Sequence, residues 1–290
     1  MNYRHAFHAG NFADVVKHAV LSRILVHLTA KPTPFRVIDT HAGLGLYDLS
    51  APEAERTGEW RGGIGRLVAD PLPAPVADLL DPYLTAVATT CGLTSPRRLR
   101  PDRLIRYPGS PLVVRSALRP TDRATAVELH PDDARSLAEL FAGDARLKVV
   151  ELDGWLALKS FLPPRERRGL VLIDPPFEVA GDFERIVGGL VEATRRFAGG
   201  IYLIWHPVKS EAELARHHAA LAATGIRRIL GIDFRIARVD PEGPLTACGL
   251  TVVNPPWRLG EELDLLLPAL VERLAIGPGA TAGHRWIVPE

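Results

Sequence analysis

Short apolar runs alternate with longer stretches of helical spacing along most of the 290-residue chain. The sharpest run is Gly169-Leu170-Val171-Leu172-Ile173, whose consecutive large aliphatics suit a strand buried on both faces of a parallel sheet. Similar signals predict strands at Phe35 to Asp39, Thr125 to His130, Leu147 to Leu152, Ile201 to Trp205, Arg228 to Phe234 and Leu250 to Val253. Val15, Val16, Ala19, Val20, Ile24 and Leu28 recur at helical spacing and predict a helix from Asp14 to His27 with one face in the core. Further helices are expected over Leu112 to Leu118, Ile186 to Phe197 and Glu211 to Thr224. This order is an α/β fold ending in an antiparallel pair. From about Ser50 to Arg106 the strand signals vanish and segments such as Ala77 to Ala88 read as short helices. That stretch is expected to be an inserted helical subdomain overhanging the ligand edge.

In open α/β sheets ligands bind beyond the carboxyl ends of the strands. The first strand runs into Asp39-Thr40-His41-Ala42-Gly43-Leu44-Gly45, where glycines let a ligand approach the backbone. A dinucleotide fold would want a third glycine three residues on and an acid about twenty residues further, so a nicotinamide enzyme is disfavoured. Glu128, ending the second strand, stands where a carboxylate can accept bonds from both ribose hydroxyls of a nucleoside cofactor, and Asp153-Gly154 closes the third strand where its adenine ring would lie. Tyr107-Pro108-Gly109-Ser110-Pro111 makes a turn and starts a helix, with Ser110 suited to its cap.

The central strand stops at Asp174-Pro175-Pro176-Phe177. Neither proline can donate to a ladder, and Pro175 forces Asp174 into an extended conformation, so the acid is held rigidly just past the strand. This group suits methyl transfer to a conjugated amine such as that of adenine, whose lone pair is delocalised. A carboxylate and a proline carbonyl accepting from the NH2 group localise that pair, the carboxylate takes the departing proton, and the aromatic stacks on the base. The bland reading is that Asp174 caps the next helix. A second match, Asn254-Pro255-Pro256-Trp257, follows the strand expected to be the last and antiparallel; its carboxyl end would point to the opposite edge, making Asn254 structural.

Composition narrows the partners. With 47% hydrophobic residues the chain can bury a full core. Two cysteines, Cys91 and Cys248, are too few for a disulfide framework or a zinc site, and His5, His8 and His18 lack carboxylates or thiols at ligand spacing, so no metal is expected. The amino terminus carries charge and histidine rather than a signal peptide's apolar run, and no apolar stretch reaches membrane-spanning length; a cytoplasmic protein without a membrane partner is expected. Net charge is only +1, so a nucleic-acid partner needs local patches. Arg97, Arg98, Arg100, Arg103 and Arg106, and Arg165, Arg167 and Arg168, are the candidates, expected to face the same side as Asp174. The bland reading of each is a solvated face.

With these residues laid out, the chain resembles the bacterial family of 23S ribosomal RNA adenine-N6 methyltransferases, a branch of the class I S-adenosylmethionine-dependent enzymes. The resemblance runs from end to end and rests on Tyr3 to Asn11, Asp39 to Gly43, Tyr107 to Pro111, Glu128 to Pro131 and Ile173 to Pro176. It implies a Rossmann-like methyltransferase core over 1–49 and 107–290 with the helical subdomain at 50–106. It further implies that His18, His41, Gly43, Ser110, Glu128, Asp153 and Gly154 bind S-adenosylmethionine. Asp174, with Pro175 and Phe177, becomes the catalytic group, and Tyr3, His5 and Lys17 meet the 23S ribosomal RNA. A monomer is expected. Phe177 stands where the family often carries tyrosine, which removes a hydroxyl but keeps the stacking face. Two readings compete: the same chemistry on DNA adenine or a protein glutamine amide, and a non-catalytic RNA-binding protein on a retired methyltransferase fold, against which Asp174, Glu128 and the glycine loop all stand.

Overall fold

The aliphatics after Gly169 lie inside a sheet. Gly169–Ile173 is wholly buried, with Leu170 and Leu172 in one apolar cluster and Val171 and Ile173 in the other, as the alternation of a strand requires. The computed structural model describes residues 5–179 and 181–290. Helix α1 (Phe12–Thr29) leads to β1 (Arg36–Asp39). A long excursion then carries β2 (Leu46–Asp48), helices α2 (Pro52–Thr57), α3 (Glu59–Gly62), α4 (Ile64–Leu67) and α5 (Ala74–Thr90), and β3 (Arg106–Pro108), which pairs with β2. Alternation resumes with α6 (Ser110–Ala117), β4 (Arg123–Glu128), α7 (Pro131–Leu140), β5 (Leu147–Glu151), α8 (Gly154–Ser160), β6 (Gly169–Ile173), α9 (Asp182–Arg196), β7 (Ile201–Pro207), α10 (Glu211–Ala222) and β8 (Ile229–Arg235). Strand β9 (Ala247–Val253), α11 (Leu259–Leu274) and β10 (Thr281–Val288) complete it.

The main sheet has eight strands among the described residues, in the order β10-β8-β9-β7-β6-β1-β4-β5. Strands β5, β4, β1, β6 and β7 run parallel, with β1 between β4 and β6. Strand β9 is antiparallel to both β7 and β8. The expectation of a class I α/β sheet is met, with one addition: β9 is not the last strand, because β10 extends the edge antiparallel to β8. Its exposed Gly283 and Arg285 and half-buried His284 hide β10 from an apolar-run reading. Helix α11, with Pro268 in its interior, was likewise not expected.

Helix α1 differs from the one-faced helix that its spacing predicts. It is buried around most of its circumference, including the polar Asp14, Lys17, His18 and Ser22, because α5, α6 and α11 pack on it from outside the sheet. Leu80, Tyr83 and Val87 of α5 join the same apolar cluster as α1. On the other sheet face Leu158 of α8 and Ile186 and Leu190 of α9 cover Val171 and Ile173. Among the described residues no helix is long and apolar enough to cross a membrane.

Candidate active site at the carboxyl edge of the sheet

Parallel pairing of β5, β4, β1 and β6 brings their carboxyl ends to one edge, and with them the polar residues that follow each strand. Asp39, ending β1, is only 3% exposed. Ser110 Oγ donates to Asp39 Oδ2 at 2.6 Å, and the His41 N–H to Oδ1 at 3.4 Å. Burial pushes the Asp39 carboxyl up to about 7, helped by the charge of Asp174 and opposed by the Ser110 bond. Ser110 therefore does not cap α6: the N-cap is Gly109, without a side-chain bond, and the Ser110 hydroxyl is turned across to β1.

Glu128 spans the neighbouring loops. Its Oε2 accepts from the Gly43 N–H at 2.8 Å and its Oε1 from the His130 N–H at 2.8 Å. Gly43 has φ of 62°, and a Cβ there would stand 2.4 Å from the Tyr47 hydroxyl; only glycine fits. Gly154 is equally constrained, since a Cβ would meet the Thr40 carbonyl at 2.2 Å. Asp153 caps α8, accepting from the Trp155 and Leu156 N–H groups. His41 shares a 2.8 Å hydrogen bond with Thr40 Oγ1, packs edge-on to Trp155, and is lowered to about 4 by burial.

Helix α1 supplies the other wall. Lys17 Nζ donates to Asp174 Oδ2 at 2.5 Å and lies 2.8 Å from Asp14 Oδ1. Burial alone would lower the ammonium, but Asp14 and then Asp174 outweigh it and hold Lys17 well above its ordinary value. Burial likewise acts to raise Asp14, yet His5 and Lys17 keep it well below the carboxylate range. His5 Nε2 shares a 2.9 Å hydrogen bond with Asp14 Oδ2, which also accepts from the Gly10 N–H. Lys17 is thus turned inward onto Asp174, with 4% of its surface exposed. His18 Nδ1 hydrogen-bonds the Tyr107 hydroxyl at 2.9 Å, which in turn meets the Tyr83 hydroxyl of α5 at 2.9 Å. His18 Nε2 is buried without a partner, and burial lowers the ring to about 3.

Asp174 does not cap a helix, since α9 begins eight residues later at Asp182. Its Oδ1 accepts no hydrogen bond among the described residues. Phe177 has φ of 51°, an unusual conformation for a bulky residue. Its ring is held by edge contacts to Phe183 and Trp205, with centroids 5.1 and 5.7 Å away, while Asp182 accepts from the Val179 N–H and ties down the loop. Tyr3 lies outside the described residues. Asp14, Tyr83 and Trp155 were not expected from the sequence; each acts through partners 9 to 114 positions away, shown by His5–Asp14, Tyr83–Tyr107 and His41–Trp155. Among the described residues no cluster of His, Cys, Asp or Glu could hold a metal.

The arginine expectation needs correction. Arg165, Arg167 and Arg168 precede β6, so they lie at its amino end, across five residues of strand from Asp174; at about 3.3 Å per residue that is ~17 Å. Arg168 there donates to the backbone carbonyls of Thr33 and Leu28. Asn254 also lies at this amino edge because β9 is antiparallel. Its Nδ2 donates to the carbonyls of Ala198 and Gly200 at 2.9 and 2.7 Å.

The strand order, the glycine loop after β1, the carboxylate ending β4 and the Asp-Pro-Pro-Phe group after β6 together define a class I methyltransferase. Residues 32–288 match the model of the family described as ribosomal RNA large subunit methyltransferase D, RlmJ, and the chain belongs to that family. It is 43% identical to ribosomal RNA large subunit methyltransferase J of Escherichia coli and 40% identical to the protein of that name from Haemophilus influenzae, each over the full length of both chains. A crystal structure of protein LPL1258 from Legionella pneumophila superimposes with a TM-score of 0.82 at 31% identity, covering 96% of this chain and 97% of that one.

Proposed function

We propose that the chain transfers a methyl group from S-adenosylmethionine to the N6 amine of an adenine in 23S ribosomal RNA. The observation that carries the reading is Asp174: a carboxylate at the carboxyl end of the strand beside the glycine loop, with one oxygen pinned by Lys17 and the other open. The family relationship supports a ribosomal RNA substrate, and membership of a methyltransferase family supports the cofactor.

The residues present fit that cofactor. Gly43 and Gly154 keep backbone close with no room for a Cβ, His18 Nε2 is an orphaned buried polar atom, and Glu128 sits at the end of β4. In this reading His18, His41, Gly43, Ser110, Glu128, Asp153 and Gly154 hold the cofactor, Glu128 through the ribose. Bound S-adenosylmethionine supplies an electrophilic methyl carbon on a positively charged sulfur. Asp174 Oδ1 and the Pro175 carbonyl would accept hydrogen bonds from the adenine amine and localise its lone pair, and Asp174 would take the proton that the amine gives up on methylation. Lys17 fixes the carboxylate's orientation, and Asp14 and His5 fix Lys17 in turn. Phe177 stacks on the base, and Tyr3 contacts the RNA. Residues 50–106 form the inserted unit facing the RNA, and the chain acts as a cytoplasmic monomer.

The test is transfer of labelled methyl from S-adenosylmethionine to unmodified 23S ribosomal RNA, followed by nucleoside mass spectrometry. One N6-methyladenosine per RNA is expected. Label in DNA adenine or a protein glutamine amide instead, or in nothing, would overturn the reading.

A further inference from the structure

The second Pro-Pro group forms one side of a cleft at the amino edge of the sheet that the catalytic reading leaves unused. The cleft measures about 340 Å³, and its lining includes His27, Arg168, Ile201, Arg228, Asn254 and Trp257; a single nucleotide is of this scale. Trp257 is 74% exposed. One exposed aromatic is ordinary by itself, but this one has a rigid mount: Pro255 and Pro256 are buried, and the Asn254 amide is clamped to the carbonyls of Ala198 and Gly200. The Arg258 guanidinium lies 5.5 Å from the Trp257 ring centroid.

The charge around this ring is mostly positive, although the chain as a whole carries only +1. Lys31, Arg167, Arg227 and Arg258 are exposed at the same edge and have no carboxylate partner among the described residues. Arg168 spends its donors on carbonyls, which leaves its charge uncompensated. Of the nearby acids, Glu166 is paired with Arg36, Asp122 with Arg119 and Glu262 with Arg23, and Glu261 is exposed on the first turn of α11. Glu290 stands 3.3 Å from Arg228. A rigid aromatic face ringed by cations is the arrangement that takes an unpaired base by stacking and its phosphates by charge.

We propose that this cleft is a second RNA contact, in which an unpaired nucleotide of the ribosomal RNA stacks on Trp257 while its flanking phosphates meet Arg167, Arg227 and Arg258. The proposal rests on the ribosomal RNA reading above and adds a docking point on the edge opposite the chemistry. It requires a substrate long enough to reach both edges, which separates it from the active site in kinetics.

The test compares Trp257→Ala, Trp257→Phe and the double variant Arg167→Glu/Arg227→Glu on two substrates: a long 23S fragment and a minimal hairpin around the target adenine. On the long fragment Trp257→Ala should raise KM on the order of tenfold with kcat unchanged, Trp257→Phe should restore most of the loss, and the double variant should flatten the salt dependence of binding by up to about 2 in slope. On the hairpin all three should match the parent. An unchanged long-fragment KM in Trp257→Ala, or an equal loss on both substrates, overturns the proposal. If the parent methylates neither RNA, the functional reading falls, and fluorescence anisotropy of the long fragment still decides the cleft: affinity about tenfold weaker in Trp257→Ala supports it, and equal affinity, which would leave a protein partner as the occupant, overturns it.

Discussion

Asp174-Pro175-Pro176-Phe177 and Asn254-Pro255-Pro256-Trp257 are nearly the same sentence written at opposite ends of one sheet. Each follows a buried strand and each contains a residue with positive φ, Phe177 at 51° and Asn254 at 53°. Strand direction separates them: β6 is parallel to β1 and delivers its end beside the glycine loop, whereas β9 is antiparallel to β7 and delivers its end beside Ala198 and Gly200. At the first edge the polar group keeps one oxygen open; at the second the amide is consumed by two carbonyls. The positive φ also falls differently. Asparagine tolerates that region, while phenylalanine is an outlier there, so the carboxyl-edge loop is strained and held by Phe183 and Trp205, as functional loops commonly are. Local sequence therefore sets what a Pro-Pro turn can do, and topology decides which one does it.

The contrast is broken most forcefully by mutating its two leading residues. Asp174→Ala should lower the single-turnover methylation rate by at least ~10²-fold, the scale of a lost general base, with cofactor affinity near the parent's. Asn254→Ala should leave that rate intact and cost roughly 1–3 kcal/mol of stability, because two carbonyls lose their donor. Retained chemistry in the Asp174 variant and loss in the Asn254 variant would invert the placement of the site. A smaller effect sharpens the first edge: Glu128→Ala removes charge-assisted bonds worth about 1.5–3 kcal/mol, so calorimetry should show S-adenosylmethionine binding roughly ten- to hundredfold weaker. Parent-like affinity would remove Glu128 from the cofactor site.

The last effect is a slope with pH. Asp39 titrates near 7 when folded against an ordinary 3.8, so between those values the folded chain holds a proton that the unfolded chain has lost. Stability from this group is therefore greatest below the unfolded value and falls as pH rises through the window, by up to about 1.4 kcal/mol per pH unit. Asp39→Asn should remove that fall in urea unfolding measured from pH 4 to 7; an unchanged slope would show that Asp39 ionises normally in the folded protein.

Much of this geometry was legible in advance. The aliphatic run before Asp174 marks a doubly buried strand, and strand order puts it beside β1; the acids ending β1 and β4 were readable as strand ends. Other features depend on partners that periodicity does not see. The spacing of Val15, Val16, Ala19 and Val20 shows one apolar face of α1, but Asp14, Lys17 and His18 are buried because α5, α6 and α11 cover the rest. Ser110 looks like a cap locally and bonds instead to Asp39, 71 positions away. Arg165 to Arg168 were misplaced for a different reason: clustered charge suggested a shared face with Asp174, although their position before the strand already puts them at its far end.

The hydroxyl chain from α5 has one further consequence. Tyr83, Tyr107 and His18 Nδ1 form a line of hydrogen bonds that can run in either direction. If it ran outward from His18, the Tyr83 proton would need another acceptor, and none is present among the described residues. Leaving that buried O–H unmatched costs roughly 1–3 kcal/mol. The favoured polarity runs inward: Tyr83 donates to Tyr107, Tyr107 donates to Nδ1, and the ring proton sits on Nε2. His18 Nε2 is then a donor, able to meet an acceptor but not another N–H. A tyrosine on α5 thereby sets the sign of a hydrogen bond made from α1.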